Sequence, residues 1–198
     1  MEIKSPKVLT AWLSFALELC KLSAYALGFT LFLFMVEAAS WMLLPSIPIL
    51  KVLMLIVAAH FASFLMASVL FTVWTYRVSN NCHAKTQGMQ FNPMLAGLSY
   101  FLPVACLVLP YLVIKEILAV SEADVSKSSH LPTLMMWWGC WISQLCLFAI
   151  ASLLPHGLFQ VTLLAVVFVL AGTAALYASR VVNLIARGQE LWVKPEEV

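Results

Sequence analysis

His60 is the one histidine placed well inside an apolar run, which extends from Val52 to Tyr76 without a charged residue. An ionisable ring at such a position is costly unless it has a partner or a task. A haem would ask for a second axial ligand, yet His83, His130 and His156 all fall at connections between apolar runs. The remaining readings of His60 are a proton relay, a ligand contact or a hydrogen-bonded packing role. Pro103 and Pro110 stand seven residues apart, on nearly the same face of the helix expected there. Each deletes a backbone hydrogen bond. Such breaks border substrate pathways in transporters and elsewhere bend a helix for packing.

Other polar candidates gather at the ends of apolar runs. Arg77 and Asn81 close the second run and Glu116, next to Lys115, closes the third. Two antiparallel spans would put these groups at opposite ends, where they form no common cluster. Among the five cysteines there is no Cys-x-x-Cys pair, and four of them lie in apolar segments, where cysteine behaves as a small hydrophobe. The expectation is therefore no disulfide, no metal and no cofactor. Gly-x-Ser-x-Gly, His-Glu-x-x-His and glycine-rich phosphate loops are missing as well, which argues against an enzyme. The net charge of +2 comes from basic residues scattered at chain ends and connections, a pattern without the basic stripe of a nucleic-acid binder.

The elements that hold these residues follow from composition. Of 198 residues, 63% are hydrophobic and 10% charged, against about 45–50% and about 25% in soluble domains. Charge-free runs 52–76, 86–114 and 128–179 each exceed the roughly 20 residues that cross a bilayer. The expected fold is one all-α membrane domain, a polytopic helical bundle of about five spans at 22–43, 50–77, 94–120, 133–154 and 158–182. A turn at Pro45 to Pro48 separates the first two, and a short polar tail runs over 188–198.

The first segment is too long for one upright span. Lys4, Lys7, Thr10, Ser14, Glu18 and Lys21 draw one narrow polar stripe along its early half. An amphipathic interfacial helix over about 5–21 fits this pattern; the alternative is a stripe facing other helices, with Glu18 and Lys21 paired. Trp74, Trp137, Trp138 and Trp141 read as interfacial aromatics. Small residues at four-residue spacing, Ala59, Ser63 and Ala67 and then Ala171, Ala175 and Ser179, allow close helix approach and are expected to be buried, with contact between the two faces as one arrangement.

Five crossings divide the connecting Lys and Arg residues four against six. A four-span alternative, in which the first segment does not cross, divides them nine against two and satisfies the positive-inside rule better. Both arrangements put the C-terminus in the cytoplasm.

Phe71, Trp74, Tyr76, Arg77 and Asn81, then Tyr100 to Pro103, Pro110-Tyr111, Lys115 to Ile117, Trp137-Trp138, Arg180 to Val182 and Gln189 form a pattern that resembles a bacterial multi-span membrane family registered as domain of unknown function 4328. The resemblance covers about residues 71–190. Between the prolines this chain has Cys106 and Leu109, where the family tends to carry an asparagine and a basic residue. The resemblance implies a bacterial inner-membrane protein and brings no activity with it.

Short connections and little polar chemistry at depth point to a non-enzymatic accessory, scaffold or sensor module. Its surroundings would be the lipid bilayer, with a membrane protein partner or a homo-oligomer as its associations. The alternatives are a small oligomeric transporter or channel with a path along His60, Pro103 and Pro110, and a binder of lipid or another hydrophobic ligand with Trp137, Trp138 and Trp141 as its wall.

Overall fold

The computed structural model describes residues 3–39, 47–122, 130–155 and 157–192. The start of the expected Pro45 turn, residue His156 and the end of the tail lie outside them. The described residues form α1 (Lys7–Ala39), α2 (Ile47–Lys85), α3 (Pro93–Leu98), α4 (Leu109–Glu122), α5 (Leu131–Leu153) and α6 (Leu158–Glu190), with no strand among them. Four helices, α1, α2, α5 and α6, are long and apolar enough to cross a membrane, with mean hydropathies of 1.4 to 2.3. Their outer faces carry side chains such as Leu55, Phe61 and Phe159, all more than 60% exposed. So continuous an apolar surface requires lipid against it, and the protein is a helical membrane bundle.

The helices alternate in direction. Along α1 and α6, Ser14 donates to Asn183 at 3.4 Å, Tyr25 meets Thr173 at 3.3 Å and Met35 accepts from Thr162 at 2.9 Å, an antiparallel series. Gly28 and Gly172 allow this approach: a Cβ on Gly172 would stand 2.5 Å from the Tyr25 ring. Helix α2 returns against α1, with Trp74 donating to Thr10 at 3.1 Å and His60 meeting Ser23 at 2.9 Å. Gln160 of α6 donates to the Ala151 carbonyl of α5 at 3.1 Å, so these two are antiparallel as well.

One end of the bundle therefore collects the first described residues, the close of α2, the start of α5 and the close of α6. Lys4 and Gln189 both bond Asn81 there. The two ends of the described chain lie on one side.

Helix α1 is continuous, so the stretch expected as a separate interfacial helix is its first half. Part of the polar stripe turns toward neighbours: Thr10 is buried against Trp74 and Ser14 reaches Asn183, while Lys4 and Lys7 are exposed and Glu18, paired with Lys21 on its own helix, is half-exposed. Thr10 and Ser14 follow the inward-facing reading of the stripe, and Lys4, Lys7 and Glu18 do not. The outer face of the same half shows Val8, Trp12, Phe15 and Leu22.

The main departure from expectation is the segment 94–120, which is not a span. The helix begun at Pro93 stops at Leu98 and another starts at Leu109. At 14 residues, α4 measures about 21 Å, short of the roughly 30 Å hydrocarbon layer. Pro110 is the second residue of α4, where its missing N–H costs nothing; Pro103 lies in the exposed tip. The two prolines thus share no helix face: Pro103 lies in the turn of a hairpin and Pro110 at the start of its second helix. At the tip, the Ala105 N–H bonds the Pro103 carbonyl at 2.6 Å around Val104, whose φ is 61°. This is a γ-turn, strained for a β-branched residue.

The hairpin leaves and returns at the same end. Its base is held by Glu116, whose carboxylate accepts from the Gln90 and Phe91 N–H groups at 2.5 and 3.4 Å. A Cβ on Gly188 of α6 would collide with the backbone of Ser121, so glycine lets α4 lie directly on α6. Asn81 and Glu116 consequently share one end of the molecule, where two crossing helices would have separated them. The span count of four matches the sequence alternative in number and differs in membership: the first segment stays and the third drops out.

Candidate functional site

Helices α2 and α5 stand apart and are joined through side chains, with the Phe71 and Trp137 rings 5.5 Å between centroids. The space between them is a cavity of about 350 Å³. Its floor is the alanine face of α6, Ala171, Ala174, Ala175 and Ala178, side chains too short to fill the gap that the larger residues of α2 and α5 hold open. The small-residue face of α6 is thus turned to a void. That of α2 splits, with Ala67 on the cavity wall, Ser63 meeting Ser23 of α1 and Ala59 exposed.

On the α5 side the wall is Trp137, Trp138, Trp141 and Gln144. Spacings of three and four residues put these on one helix face. Trp138 and Trp141 stack at 4.9 Å and 21°, and Trp137 meets Trp138 edge-on at 5.3 Å. Tyr111 of α4 continues the stack to Trp138 at 6.4 Å. The three tryptophans expected as interfacial anchors are therefore also the wall of a site. Trp74 is neither: it is fully buried in the core, its indole bonded to Thr10, and the interfacial role expected for it does not hold.

Opposite them, α2 contributes His60, Phe64, Ser68 and Thr72, and the hairpin closes one end with Tyr100 and Phe101. His60 is held by Ser23 through Nδ1 and stands edge-on to Phe168 at 5.6 Å. Ser23 also meets Ser63 at 3.3 Å, and Ser63 donates back to the His60 carbonyl. His60 thus has the hydrogen-bonded packing partner that the sequence reading allowed, and it lines the cavity as well. Tyr100, outside the spanning helices, bonds Thr75 at 3.1 Å, and burial holds its phenol above the usual tyrosine range, so it stays protonated. Ser68 and Thr72 donate to the Phe64 and Ser68 carbonyls of their own helix.

Gln144 lay outside the sequence candidates. Its Oε1 is buried and has no hydrogen-bond partner among the described residues, which leaves an acceptor free beside the cavity. The signal was present: an amide near the middle of a spanning segment is costly in the way His60 is.

Of the other candidates, Arg77, Asn81, Pro103, Pro110 and Glu116 do not line the cavity. Asn81 and Gln189 form a buried node instead. Asn81 Nδ2 donates to Gln189 Oε1 at 2.9 Å and to the Lys4 carbonyl at 3.0 Å, and Gln189 Nε2 donates to the Val78 carbonyl at 3.0 Å. That node ties the N-terminal segment, α2 and α6 together. A second, shallower groove between α1 and α6 runs past Tyr25, Phe29 and Val166. Its Thr162 hydroxyl is shared between Leu158 and Met35. No group of three or more metal-ligating side chains occurs among the described residues.

A family described as Domain of unknown function (DUF4328) matches residues 50–187, which takes in all but the first residues of α2, the whole of α3 to α5, and all but the last residues of α6. No curated protein and no solved structure matches the chain.

Proposed function

The chain belongs to the DUF4328 family, and we propose that it binds a hydrophobic ligand, taken up from the lipid phase, in the cavity between α2 and α5. One observation carries the reading: an aromatic-walled cavity of about 350 Å³, the size and chemistry of pockets that hold small molecules, about 300–1,000 Å³ and mostly apolar. Phe64 and Phe101 line it and are still 44% and 64% exposed, so its mouth opens sideways among lipid-facing residues. The role is that of a ligand-binding accessory or sensor module without turnover chemistry, consistent with a bundle whose few buried polar groups are mostly spent on holding helices together.

Seven described Lys and Arg side chains, Lys4, Lys7, Arg77, Lys85, Lys115, Arg180 and Arg187, lie toward the end where α2 and α6 close, against Lys51 at the other, with Lys21 along α1 between them. The positive-inside rule favours that end as cytoplasmic, in a bacterial inner membrane.

Tryptophan emission tests the binding reading, since three of the chain's seven tryptophans form the wall. In nanodiscs, an apolar ligand that enters should shift emission saturably, and Ala175→Phe, which fills the floor, should abolish the saturable shift. A wild-type response that only follows the bulk lipid partition of every ligand, and is identical in Ala175→Phe, refutes the reading.

A further inference from the structure

Resting on that reading, we infer that the ligand is a neutral, hydroxyl-bearing lipid of single-chain or single-ring width, its hydroxyl bonded to the Gln144 amide. Three observations converge on this class.

Among the described residues, no lysine, arginine, aspartate or glutamate lines the cavity. A charged headgroup would meet no counter-charge there, and one unit of charge near mid-membrane costs about 2.5–3.5 kcal/mol even on lenient scales. The ligand is therefore neutral within the site.

Several polar groups of the wall already have partners within the protein. Ser68 and Thr72 donate to their own helix, Tyr100 is joined to Thr75 and His60 Nδ1 to Ser23. Gln144, one of the residues that line the cavity, carries a buried acceptor, Oε1, that has no partner among the described residues; it is covered as the side chain stands, so a ligand hydroxyl meets it as the amide turns toward the cavity. A buried acceptor left unmet costs about 1–3 kcal/mol, which a donor on the ligand would recover. A hydroxyl suits an amide best, because it donates to Oε1 and can accept from the same amide's Nε2.

Size completes the argument. A cavity of about 350 Å³ lies near the lower bound of small-molecule pockets, about 300 Å³, and cannot enclose a two-chain lipid. The flat stack of Trp138 on Trp141 suits a flat or unsaturated apolar body. The shared chemistry is that of a membrane-dissolved alcohol, either an isoprenoid alcohol or a straight-chain alcohol derived from acyl lipid.

The test uses the full chain in phosphatidylcholine nanodiscs, titrated with farnesol, oleyl alcohol, farnesene and oleate while tryptophan emission is read. At least one alcohol should bind more tightly than farnesene and oleate, and a preference between farnesol and oleyl alcohol identifies the source. Gln144→Leu, an apolar replacement of similar size, should weaken the alcohol by about 2- to 10-fold, the value of one hydrogen bond, and leave farnesene unchanged. Equal binding of farnesol and farnesene overturns the hydroxyl assignment, as does an unchanged alcohol affinity in Gln144→Leu, which would mean that water satisfies the amide. Oleate binding as tightly as oleyl alcohol at a pH alkaline enough to keep the membrane-dissolved acid ionised overturns neutrality. In each of these cases saturable binding that Ala175→Phe removes would leave the hydrophobic-ligand reading standing. If no probe binds saturably, both fail.

Discussion

The Asn81–Gln189 node can be weighed bond by bond. Gln189 is fully buried. Its side chain accepts from Asn81 at 2.9 Å and donates to the Val78 carbonyl at 3.0 Å, with longer contacts to Cys82 and Ser121 at 3.4 and 3.5 Å. Counting only the two short bonds at about 0.5–1.5 kcal/mol each, Gln189→Ala should cost about 1–3 kcal/mol. The Asn81 N–H it leaves without a partner pushes the loss toward the upper end. Asn81→Ala removes the same shared bond together with both bonds to the Lys4 backbone, at 3.2 and 3.0 Å, and should cost at least as much.

Because the shared bond is lost only once, the double variant should fall short of the sum of the singles by about 0.5–3 kcal/mol. Reversible unfolding in mixed detergent at fixed composition measures all four corners of the cycle. Removing residues 1–6 should reproduce the Lys4 part of the Asn81→Ala loss, and Asn81→Ala should then cost less in the truncated chain. Additivity within about 0.3–0.5 kcal/mol, the range for independent sites, would refute the node as a cooperative unit.

Two glycines should respond unequally. Gly188→Ala drives a Cβ into the Ser121 backbone, whereas at Gly172 the obstacle is the ring of the partly exposed Tyr25; thermal unfolding should drop further for Gly188→Ala, and the reverse order would refute the close packing of α4 on α6. Tags placed at the two termini should report the same side of the membrane in a protease-accessibility assay, since Lys4 and Gln189 meet at Asn81; opposite sides would reject the four-helix topology. Glu116→Gln weakens the anchor of Gln90 and Phe91, so Cys106 near the hairpin tip should react faster with a maleimide than in the unaltered chain. An unchanged rate would show that the base does not position the tip.

Membrane residence and helical class were legible because they depend on summed composition, which no local detail reverses. The hairpin was not. Residues 94–120 are as apolar as a span and long enough to be one, so hydropathy reads them as crossing. What decides otherwise is a pair of contacts between distant positions: Glu116 returning to Gln90, and Ser121 lying against Gly188. Gln90 lies before that window and Gly188 far beyond it, so a window over 94–120 contains neither partner. The prolines carried the local part of the signal, and Pro110 marks a helix start more simply than a bend within one. Trp74 failed as an interfacial residue for a related reason. Its position beside Tyr76 and Arg77 looks like the rim of a span, but α2 continues to Lys85 inside a bundle that extends past the apolar run, so Thr10 of α1 is there to take the indole N–H.

The site was legible in pieces, and the pieces fit through the alanines of α6. Ala171 and Ala175 read as a surface for close helix contact, and that holds where glycine helps: Gly172, on the neighbouring face, brings in α1. At Ala171, Ala174, Ala175 and Ala178 the facing helices carry Phe64, Phe71, Trp137 and Trp141. Helix α5 packs along α6, and side chains of that size on it meet those of α2 before α2 can close on the alanines as well. Small residues on one helix therefore meant a cavity here because large ones stood on two others, and only the three together set its volume. The same residues that keep the helices apart are the aromatic walls. Narrowing the cavity from the floor, as Ala175→Phe does, should thus cost binding while sparing the Phe71 to Trp137 bridge that spaces the helices.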